Sequence, residues 1–174
     1  AAECRALGAE ALAVATDVTN WEQVQAMVKR ALTEFKKIDV LVNNAGWTQD
    51  RLFVEKPRQE WEKEIAVNFW GPINCIRAVL DHMIERKAGR IVSVSSDAGR
   101  MGEYREAVYS GCKAGIIGLS KAIAREVGRY NITLNVVCPG LTPAKPGEMG
   151  ERSMWGDMAQ VFTPEAKEKA AQRY

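Results

Sequence analysis

The sequence contains a single histidine, His82, among its 174 residues. One histidine cannot supply a metal site that needs several imidazoles, and it nearly excludes a catalytic triad built on histidine. The four cysteines stand far apart, without the CxxC spacing of a metal site or a redox pair. We therefore expect reduced thiols, a cytoplasmic location and no metal centre.

Long apolar runs and a large net charge are also missing from the sequence. No stretch of residues has the length that a membrane span needs. The formal net charge of +2 gives no electrostatic reason to expect nucleic acid or an anionic membrane as a partner. The composition is that of an ordinary globular domain.

Strand-like and helix-like segments alternate along the chain. Strands are predicted at 11–17, 38–43, 90–95 and 132–138, and helices at 1–7, 21–35, 57–87 and 107–130. Thr19 and Glu22 have the spacing of a capping box, so Thr19 is the expected N-cap of the second helix. Strands separated by helices predict right-handed crossovers and a parallel sheet, which is an α/β fold.

Ser96, Tyr109 and Lys113 are the strongest candidates for chemistry. Tyr109 and Lys113 lie four residues apart in a predicted helix and so share one face, while Ser96 follows a predicted strand. An ammonium beside a phenol favours the phenolate, and a nearby hydroxyl can bond a substrate oxygen. Such a set can move one proton to or from a carbonyl. A Tyr–Lys pair alone is a weak signal, but the order strand–Ser, helix–Tyr–Lys, strand–Pro139-Gly140 strengthens it.

Two further segments allow a structural and a functional interpretation. The turn Asn43-Asn44-Ala45-Gly46 has small residues that would let a ligand approach the backbone, although an ordinary turn has the same composition. Asp17 could accept a hydrogen bond from an adenine amino group, or it could help to cap the next helix.

Asn68 lies four residues before Pro72, which has no N–H to donate. The Asn68 carbonyl therefore lacks its helical partner, and Gly71 would ease a kink there. A carbonyl freed in this way can hold an ordered water, and such a water beside Lys113 would open a proton path to solvent. A simple proline kink is the alternative.

Taken together, these segments carry a family resemblance. The chain resembles the short-chain dehydrogenase/reductases in the following motifs: Thr16-Asp17-Val18, Asn43-Asn44-Ala45-Gly46, Val67-Asn68-Phe69-Trp70-Gly71, Gly89-Arg90-Ile91-Val92-Ser93-Val94-Ser95-Ser96, Tyr109-Ser110-Gly111-Cys112-Lys113-Ala114-Gly115 and Asn135-Val136-Val137-Cys138-Pro139-Gly140. They cover most of residues 10–142. The resemblance implies a Rossmann-like doubly wound parallel sheet and an oxidoreductase that uses NAD or NADP.

The resemblance also implies a role for each catalytic candidate. Tyr109 matches the acid/base tyrosine, and Ser96 matches the serine that orients the substrate carbonyl. Lys113 matches the lysine that lowers the tyrosine pKa and bonds the nicotinamide ribose. Asn68 matches the position whose main-chain carbonyl holds a relay water. The implied reaction interconverts a secondary alcohol and a ketone, with the hydride carried by the cofactor.

The remaining matches concern the cofactor. They place Asp17 and Val18 at the adenine. They also place Asn44, Ala45 and Gly46 along the adenosine ribose, and Pro139 and Gly140 in a turn beside the nicotinamide. The family's usual threonine position holds Ala144 here, so Thr142 is the expected substitute. Residues 143–174 resemble a substrate lid.

The resemblance extends to substrate and assembly as well. The chain is most similar to the 3-oxoacyl thioester reductases and to the alicyclic hydroxyacyl-CoA dehydrogenases, and family members of this kind form homodimers or homotetramers. The expected substrate is therefore a small hydroxy or oxo compound, such as a hydroxyacyl-CoA or oxoacyl-CoA thioester.

The chain departs from the family at both ends. It lacks the first two strands and the glycine-rich turn that cradles the pyrophosphate, and it stops before the last strand. We therefore expect residues 1–174 to be a single, truncated domain with an incomplete sheet, in which strand 11–17 has no neighbour. Alone it should be inactive and poorly stable. A non-catalytic nucleotide-binding scaffold is the alternative, although the intact Ser96, Tyr109 and Lys113 favour an enzyme.

Overall fold

The computed structural model of the protein describes residues 1–140 and Thr142. Ala1–Pro139 form one compact unit, whereas Gly140 and Thr142 belong to a second unit. The predicted lid, residues 143–174, lies outside the described residues.

The described part of the chain contains three strands and six α-helices in the predicted alternation. The helices are α1 (Ala2–Ala6), α2 (Trp21–Phe35), α3 (Arg58–Ile65), α4 (Gly71–Arg86), α5 (Ala98–Met101) and α6 (Ala107–Val127). The strands are β1 (Val40–Asn43), β2 (Gly89–Val94) and β3 (Ile132–Val137). A π-helical turn (Ala66–Trp70) joins α3 to α4, and a 3₁₀ turn (Gly128–Tyr130) precedes β3.

The three strands form one parallel sheet in the order β1-β2-β3. Each strand pairs with the next one in the sequence, and helices supply the crossovers, as the alternating pattern predicts. The carboxyl ends of all three strands therefore meet at the same edge of the sheet. This edge is where α/β proteins of this kind bind ligands.

The core lies between one face of this sheet and helices α2, α4 and α6. Ile91, Ile132 and Leu134 point from the strands into a buried cluster, and the helices contribute Val28, Ile76, Val79, Met83 and Val127. Burial alternates along β2 and β3, as expected for strands packed on one side. On β1, Val40 and Val42 are more than half exposed, and within the described residues no strand pairs with its outer edge.

Two expectations for the first forty residues were wrong. Residues 11–17 form no strand: a strand needs a neighbour to satisfy its backbone groups, and none lies beside this segment in the described structure. The N-cap of α2 is Asn20 rather than Thr19, because the Asn20 side chain accepts a hydrogen bond from the Gln23 amide at 2.9 Å.

The predicted helix over 57–87 is interrupted in its middle. In the π-helical turn, the Gly71 amide donates to the Ala66 carbonyl five residues earlier. The extra residue accommodates Pro72, which cannot donate and which here stands in the first turn of α4. Gly71 has an ordinary right-handed helical conformation, and its role is close packing, since a Cβ there would lie 2.8 Å from Val18 Cγ2. The sequence also gave no indication of the short helix α5.

Neither a membrane-spanning helix nor a metal-binding cluster is found among the described residues. None of the helices described combines the length and the apolar character required to cross a bilayer. Residues 1–140 and Thr142 also contain no cluster of three histidine, cysteine or acidic side chains that could hold a metal ion.

Candidate active site

The candidate site begins where β2 and β3 end. Beyond the last residue of β2, the Ser95 amide donates to the Val137 carbonyl at 2.8 Å and the Asp97 amide donates to the Pro139 carbonyl at 3.0 Å. These bonds continue the parallel pairing past the regular strands. They hold the Ser96 segment beside the Pro139 turn, so two segments that the sequence identified separately lie together.

Ser96 and Tyr109 are in direct contact. The Ser96 hydroxyl lies close enough to the Tyr109 phenol to lower its pKa by hydrogen bonding, and both side chains are half-buried. The Ala98 amide donates to Ser96 Oγ at 3.1 Å, which orients the serine at the start of α5. A hydroxyl pair held in this way can present two hydrogen-bonding groups to one oxygen of a bound molecule.

Lys113 lies on the same face of α6 as Tyr109, as the four-residue spacing predicts. Its Nζ is 5.4 Å from the centre of the Tyr109 ring and donates to the Val94 carbonyl at 2.8 Å. The residue is only 5 % exposed. The Ser95 hydroxyl donates to the Lys113 carbonyl at 2.8 Å, so β2 fixes both ends of this lysine.

The turn after β1 approaches the same lysine. A Cβ on Gly46 would lie 3.2 Å from Asn68 Oδ1 and 3.6 Å from Lys113 Nζ. Only glycine gives this close approach without displacing its neighbours. Asn44, Ala45 and Gly46 are exposed, so the turn is accessible to a ligand while it borders the catalytic candidates.

Asn68 is fully buried in the π-helical turn, and its side chain has a structural role. Its Oδ1 accepts from the Trp47 amide at 3.1 Å, and its Nδ2 donates to the carbonyls of Trp47 at 2.6 Å and Glu64 at 2.9 Å. The side chain thus joins the turn after β1 to α3. The proposed relay water on the Asn68 main-chain carbonyl stays a prediction.

A buried ion pair behind this turn was not found by sequence reasoning. Glu64 Oε1 accepts from Lys56 Nζ, from the Thr48 hydroxyl at 2.9 Å and from the Gln49 amide at 3.3 Å. Glu64 is 0 % exposed and Lys56 5 %. The pair therefore fixes residues 48–49 next to Asn68. Charged residues are solvated by default, and a spacing of eight residues across a loop carries no signal that they pair.

The expected lowering of the Tyr109 pKa is not found. Burial raises the pKa of Tyr109 above its usual value, the nearby Glu106 carboxyl adds to that rise, and the Ser96 hydrogen bond opposes it. Burial also lowers the pKa of Lys113. Helical spacing brought the two side chains together, but the lysine ammonium donates to a carbonyl and the carboxyl groups lie near the phenol.

Asp17 and Val18 lie just before α2, at the carboxyl end of the segment 11–17. The exposed Asp17 carboxylate accepts from the Thr19 amide at 2.9 Å, and this bond lowers its pKa. Val18 packs on Gly71, and its carbonyl accepts from Asn74 Nδ2 at 3.0 Å. The Asp17 side chain therefore stabilises the turn before α2 and does not cap the helix, whose N-cap is Asn20, and its contact with adenine stays a prediction.

Gly140 and Thr142 belong to the second unit and are both exposed. Thr142 Oγ1 donates to the Gly140 carbonyl at 3.0 Å. The predicted role of Thr142 as a substitute for the family's threonine is not tested by this contact. Of the predicted site residues, the structure brings together Gly46, Asn68, Ser96, Tyr109 and Lys113, with Pro139 beside the Ser96 segment.

The fold and this arrangement define a class of protein. The family model described as short chain dehydrogenase matches residues 1–150, and the chain belongs to that family. The resemblance stated from the motifs is therefore confirmed, and with it the Rossmann-like α/β fold.

Individual relatives agree with this assignment. The chain is 42% identical over 139 residues to a 3-oxoacyl-[acyl-carrier-protein] reductase of Synechocystis sp., covering 80% of this chain and 56% of the relative. It is 41% identical over 138 residues to the FabG reductase of the same description from Staphylococcus epidermidis, covering 79% and 57%. The chain thus spans somewhat more than half the length of these relatives.

Two solved structures are similar in fold. Xylitol dehydrogenase with NAD+ bound superposes with a TM-score of 0.79 at 34% identity, over 82% of this chain and 56% of that one. A tyrosine-to-phenylalanine variant of ElxO with NADPH bound gives a TM-score of 0.75 at 30% identity, over 84% and 57%.

Proposed function

We propose that the protein is an NAD(P)-dependent oxidoreductase that interconverts a secondary alcohol and a ketone. The observation that carries the proposal is the meeting of Ser96, Tyr109 and Lys113 at the carboxyl end of β2. These are the positions that match the family's catalytic serine, tyrosine and lysine. The nicotinamide-bound relatives of similar fold support the cofactor class.

Tyr109 transfers the proton and Ser96 holds the reacting oxygen. Because the pKa of Tyr109 is raised, its hydroxyl carries a proton at neutral pH and can donate it to a ketone oxygen as negative charge develops there. Ser96, oriented by the Ala98 amide, hydrogen-bonds the same oxygen. At neutral pH Tyr109 is therefore in the protonated form that serves ketone reduction, and alcohol oxidation speeds up at alkaline pH as the phenolate forms.

The residues around Lys113 fit a nicotinamide nucleotide. The missing Cβ of Gly46 leaves space directly over Lys113 Nζ, and the turn Asn44–Gly46 is open to solvent. Lys113 would hold the nicotinamide ribose, the turn would hold the adenosine ribose, and Asp17 with Val18 would contact the adenine. Pro139, Gly140 and Thr142 would border the nicotinamide. When bound, this cofactor supplies or accepts the hydride.

The proposal extends to substrate, assembly and location. The identity to 3-oxoacyl-[acyl-carrier-protein] reductases supports a small hydroxy or oxo substrate, including a hydroxyacyl or oxoacyl thioester. We further propose a homodimer or homotetramer in the cytoplasm. The four cysteines form no disulfide in the structure, which agrees with a reducing compartment.

The test compares wild type with Tyr109→Phe in protein expressed from its native gene, using 3-oxoacyl thioesters as candidate substrates. We expect Tyr109→Phe to lose at least about a hundredfold in turnover, because general acid catalysis contributes about that much. Nucleotide binding, measured by calorimetry, should be unchanged. A matched control is Tyr130→Phe, since Tyr130 lies outside the site in the 3₁₀ turn.

The second candidate function is a non-catalytic nucleotide-binding scaffold. The raised pKa of Tyr109 bears on this alternative only for alcohol oxidation, since a protonated tyrosine cannot accept a proton from an alcohol at neutral pH but can still donate one to a ketone. Nucleotide binding without turnover in either direction, in the wild type as in Tyr109→Phe, would establish the scaffold. Turnover that Tyr109→Phe leaves intact would instead refute the role of the tyrosine.

A further inference from the structure

Two carboxyl groups lie next to each other near Tyr109, and the proposed reaction does not use them. Asp50 follows the turn after β1, and Glu106 is the N-cap residue of α6, three positions before Tyr109. The two side chains are close enough for each to shift the pKa of the other, and both residues are half-buried. Two carboxyl groups in such contact hold a proton between them, because two negative charges at that distance repel each other strongly.

The backbone holds this pair in place. The Arg51 amide donates to the Arg105 carbonyl at 3.1 Å, and the Arg105 guanidinium donates to the Asp50 carbonyl at 3.4 Å. Arg105 has a φ of 70°, a left-handed conformation that is uncommon outside glycine and that places Glu106 at the helix start. The Glu106 side chain does not cap α6 and is directed to Asp50 instead.

The surroundings decide which carboxyl carries the proton. Asp50 Oδ1 is buried and no N–H or hydroxyl of the described residues reaches it, so a protonated Glu106 is the donor it requires. Burial raises the pKa of Asp50 and Glu103 adds to that rise, whereas Glu106, Arg105 and Lys56 oppose it. Asp50, Glu103 and Glu64 all place negative charge near Glu106, and with burial, the largest cause, they raise its pKa to about 8.

We propose that Asp50 and Glu106 share one proton at neutral pH and serve as a positioning pair that limits the negative charge beside the Tyr109 hydroxyl. When Glu106 loses the proton, a second negative charge faces the phenol and opposes its ionisation. The pair therefore sets how alkaline the solution must be before Tyr109 can accept a proton. The sharing of the proton does not depend on the proposed reaction, but the effect of the pair on catalysis does.

Carboxyl NMR tests the shared proton without cofactor or substrate. In protein labelled with ¹³C at glutamate Cδ, one resonance should titrate with a midpoint near pH 8, vanish in Glu106→Gln and move to lower pH in Asp50→Asn. Glu126→Gln, an exposed position on the same helix, should leave that midpoint unchanged. If every glutamate titrates near its ordinary value, the pair shares no proton and the proposal fails.

Tyrosinate absorbance tests the effect on Tyr109. The titration midpoint of Tyr109 is read from the difference between the absorbance titration of a protein and that of the same protein carrying Tyr109→Phe. Circular dichroism confirms the fold at each pH. Glu106→Gln should shift this midpoint to lower pH, and Glu126→Gln should not. If Glu106→Gln is unfolded, Asp50→Asn provides the second comparison and should give the same direction. An unchanged midpoint in a folded variant would overturn the proposed action on Tyr109.

The pH profile of alcohol oxidation links the pair to catalysis. Glu106→Gln should move the alkaline rise of kcat to lower pH by the same interval as the tyrosine midpoint, with KM little changed. If both spectroscopic results hold and no turnover is found in any protein, the shared proton stands and the proposed reaction fails. If turnover is found but its profile is the same in both proteins, the pair has no part in catalysis.

Discussion

Gly99 lets α5 and α6 approach each other behind Lys113, and its replacement by alanine tests how tightly the site is built. A Cβ on Gly99 would lie 2.7 Å from the Lys113 carbonyl carbon and 2.8 Å from the Ala114 nitrogen. Both atoms belong to the backbone of α6, so no side-chain rotation can relieve the contact. The two helices would have to separate, and Lys113 would move with its own backbone.

The magnitude follows from the contact distances. Carbon atoms in good packing lie about 3.5–4.0 Å apart, so the Gly99→Ala variant requires a shift of roughly 0.7 Å or more. Because the contact is with backbone atoms, the overpacking should cost about 2–3 kcal/mol, the upper part of the usual range, and the better helix propensity of alanine offsets about 1 kcal/mol of it. We expect a net loss of about 1–2 kcal/mol in the free energy of unfolding, measured by urea denaturation. At about 2–4 °C per kcal/mol, the melting temperature should fall by several degrees.

Gly118→Ala is the matched control for this prediction. Gly118 is exposed within α6, and a Cβ there would meet no atom within 4 Å. Alanine at this position should stabilise the helix by up to about 1 kcal/mol. If Gly99→Ala is as stable as the wild type, or gains stability as Gly118→Ala does, the close packing of α5 on α6 is not a constraint and the argument is refuted.

Three further predictions concern charges and hydrogen bonds around the site. Lys56→Met should lower the free energy of unfolding by about 3–5 kcal/mol, because it leaves the buried Glu64 carboxylate without its ion pair. Adding Glu64→Gln should recover part of that loss, as measured in a double-mutant cycle. Ser95→Ala should lower stability by about 1 kcal/mol through loss of the buried bond to the Lys113 carbonyl, seen as a lower urea midpoint; no change in the midpoint would contradict it. The pKa of Glu106 is about 8 in the folded protein and 4.5 as its ordinary value, so the folded state binds the extra proton between these values. The stability that Glu106 contributes is complete below pH 4.5 and is lost as the pH rises to 8. The melting temperature should therefore fall less steeply over that interval in Glu106→Gln than in the wild type. An equally steep fall in both proteins would contradict this prediction.

The sequence contained enough to predict the sheet and the meeting of its catalytic candidates. Period-two and period-3.6 patterns located β1, β2 and β3 to within two residues at each end, because the strands have one buried face and bulky apolar side chains. Parallel order then placed the Ser96 segment and the Pro139 turn at one edge. A spacing of four residues placed Tyr109 and Lys113 on one face of α6. Each of these inferences depends on local periodicity alone.

Other features depend on contacts between residues distant in sequence. Residues 11–17 are as apolar as a strand but have no neighbour to pair with, and apolar pattern alone does not reveal that. The π-helical turn needs both Pro72 and the packing of Gly71 on Val18. The Lys56–Glu64 pair joins a loop to α3, where neither residue has a sequence signal. These contacts are fixed only when the tertiary structure is known.

The electrostatics of Tyr109 show why proximity on a helix does not determine the sign of a pKa shift. The four-residue spacing correctly predicted that the Lys113 ammonium would be near the phenol, but its proton donation goes to the Val94 carbonyl. Burial disfavours the charged form of both side chains, which raises the pKa of the phenol and lowers that of the ammonium. Glu106, one turn before Tyr109 on the same helix, then adds repulsion that the lysine would have to overcome. The sign of the Tyr109 shift is therefore set by burial and by Glu106, and the lysine four residues away does not reverse it.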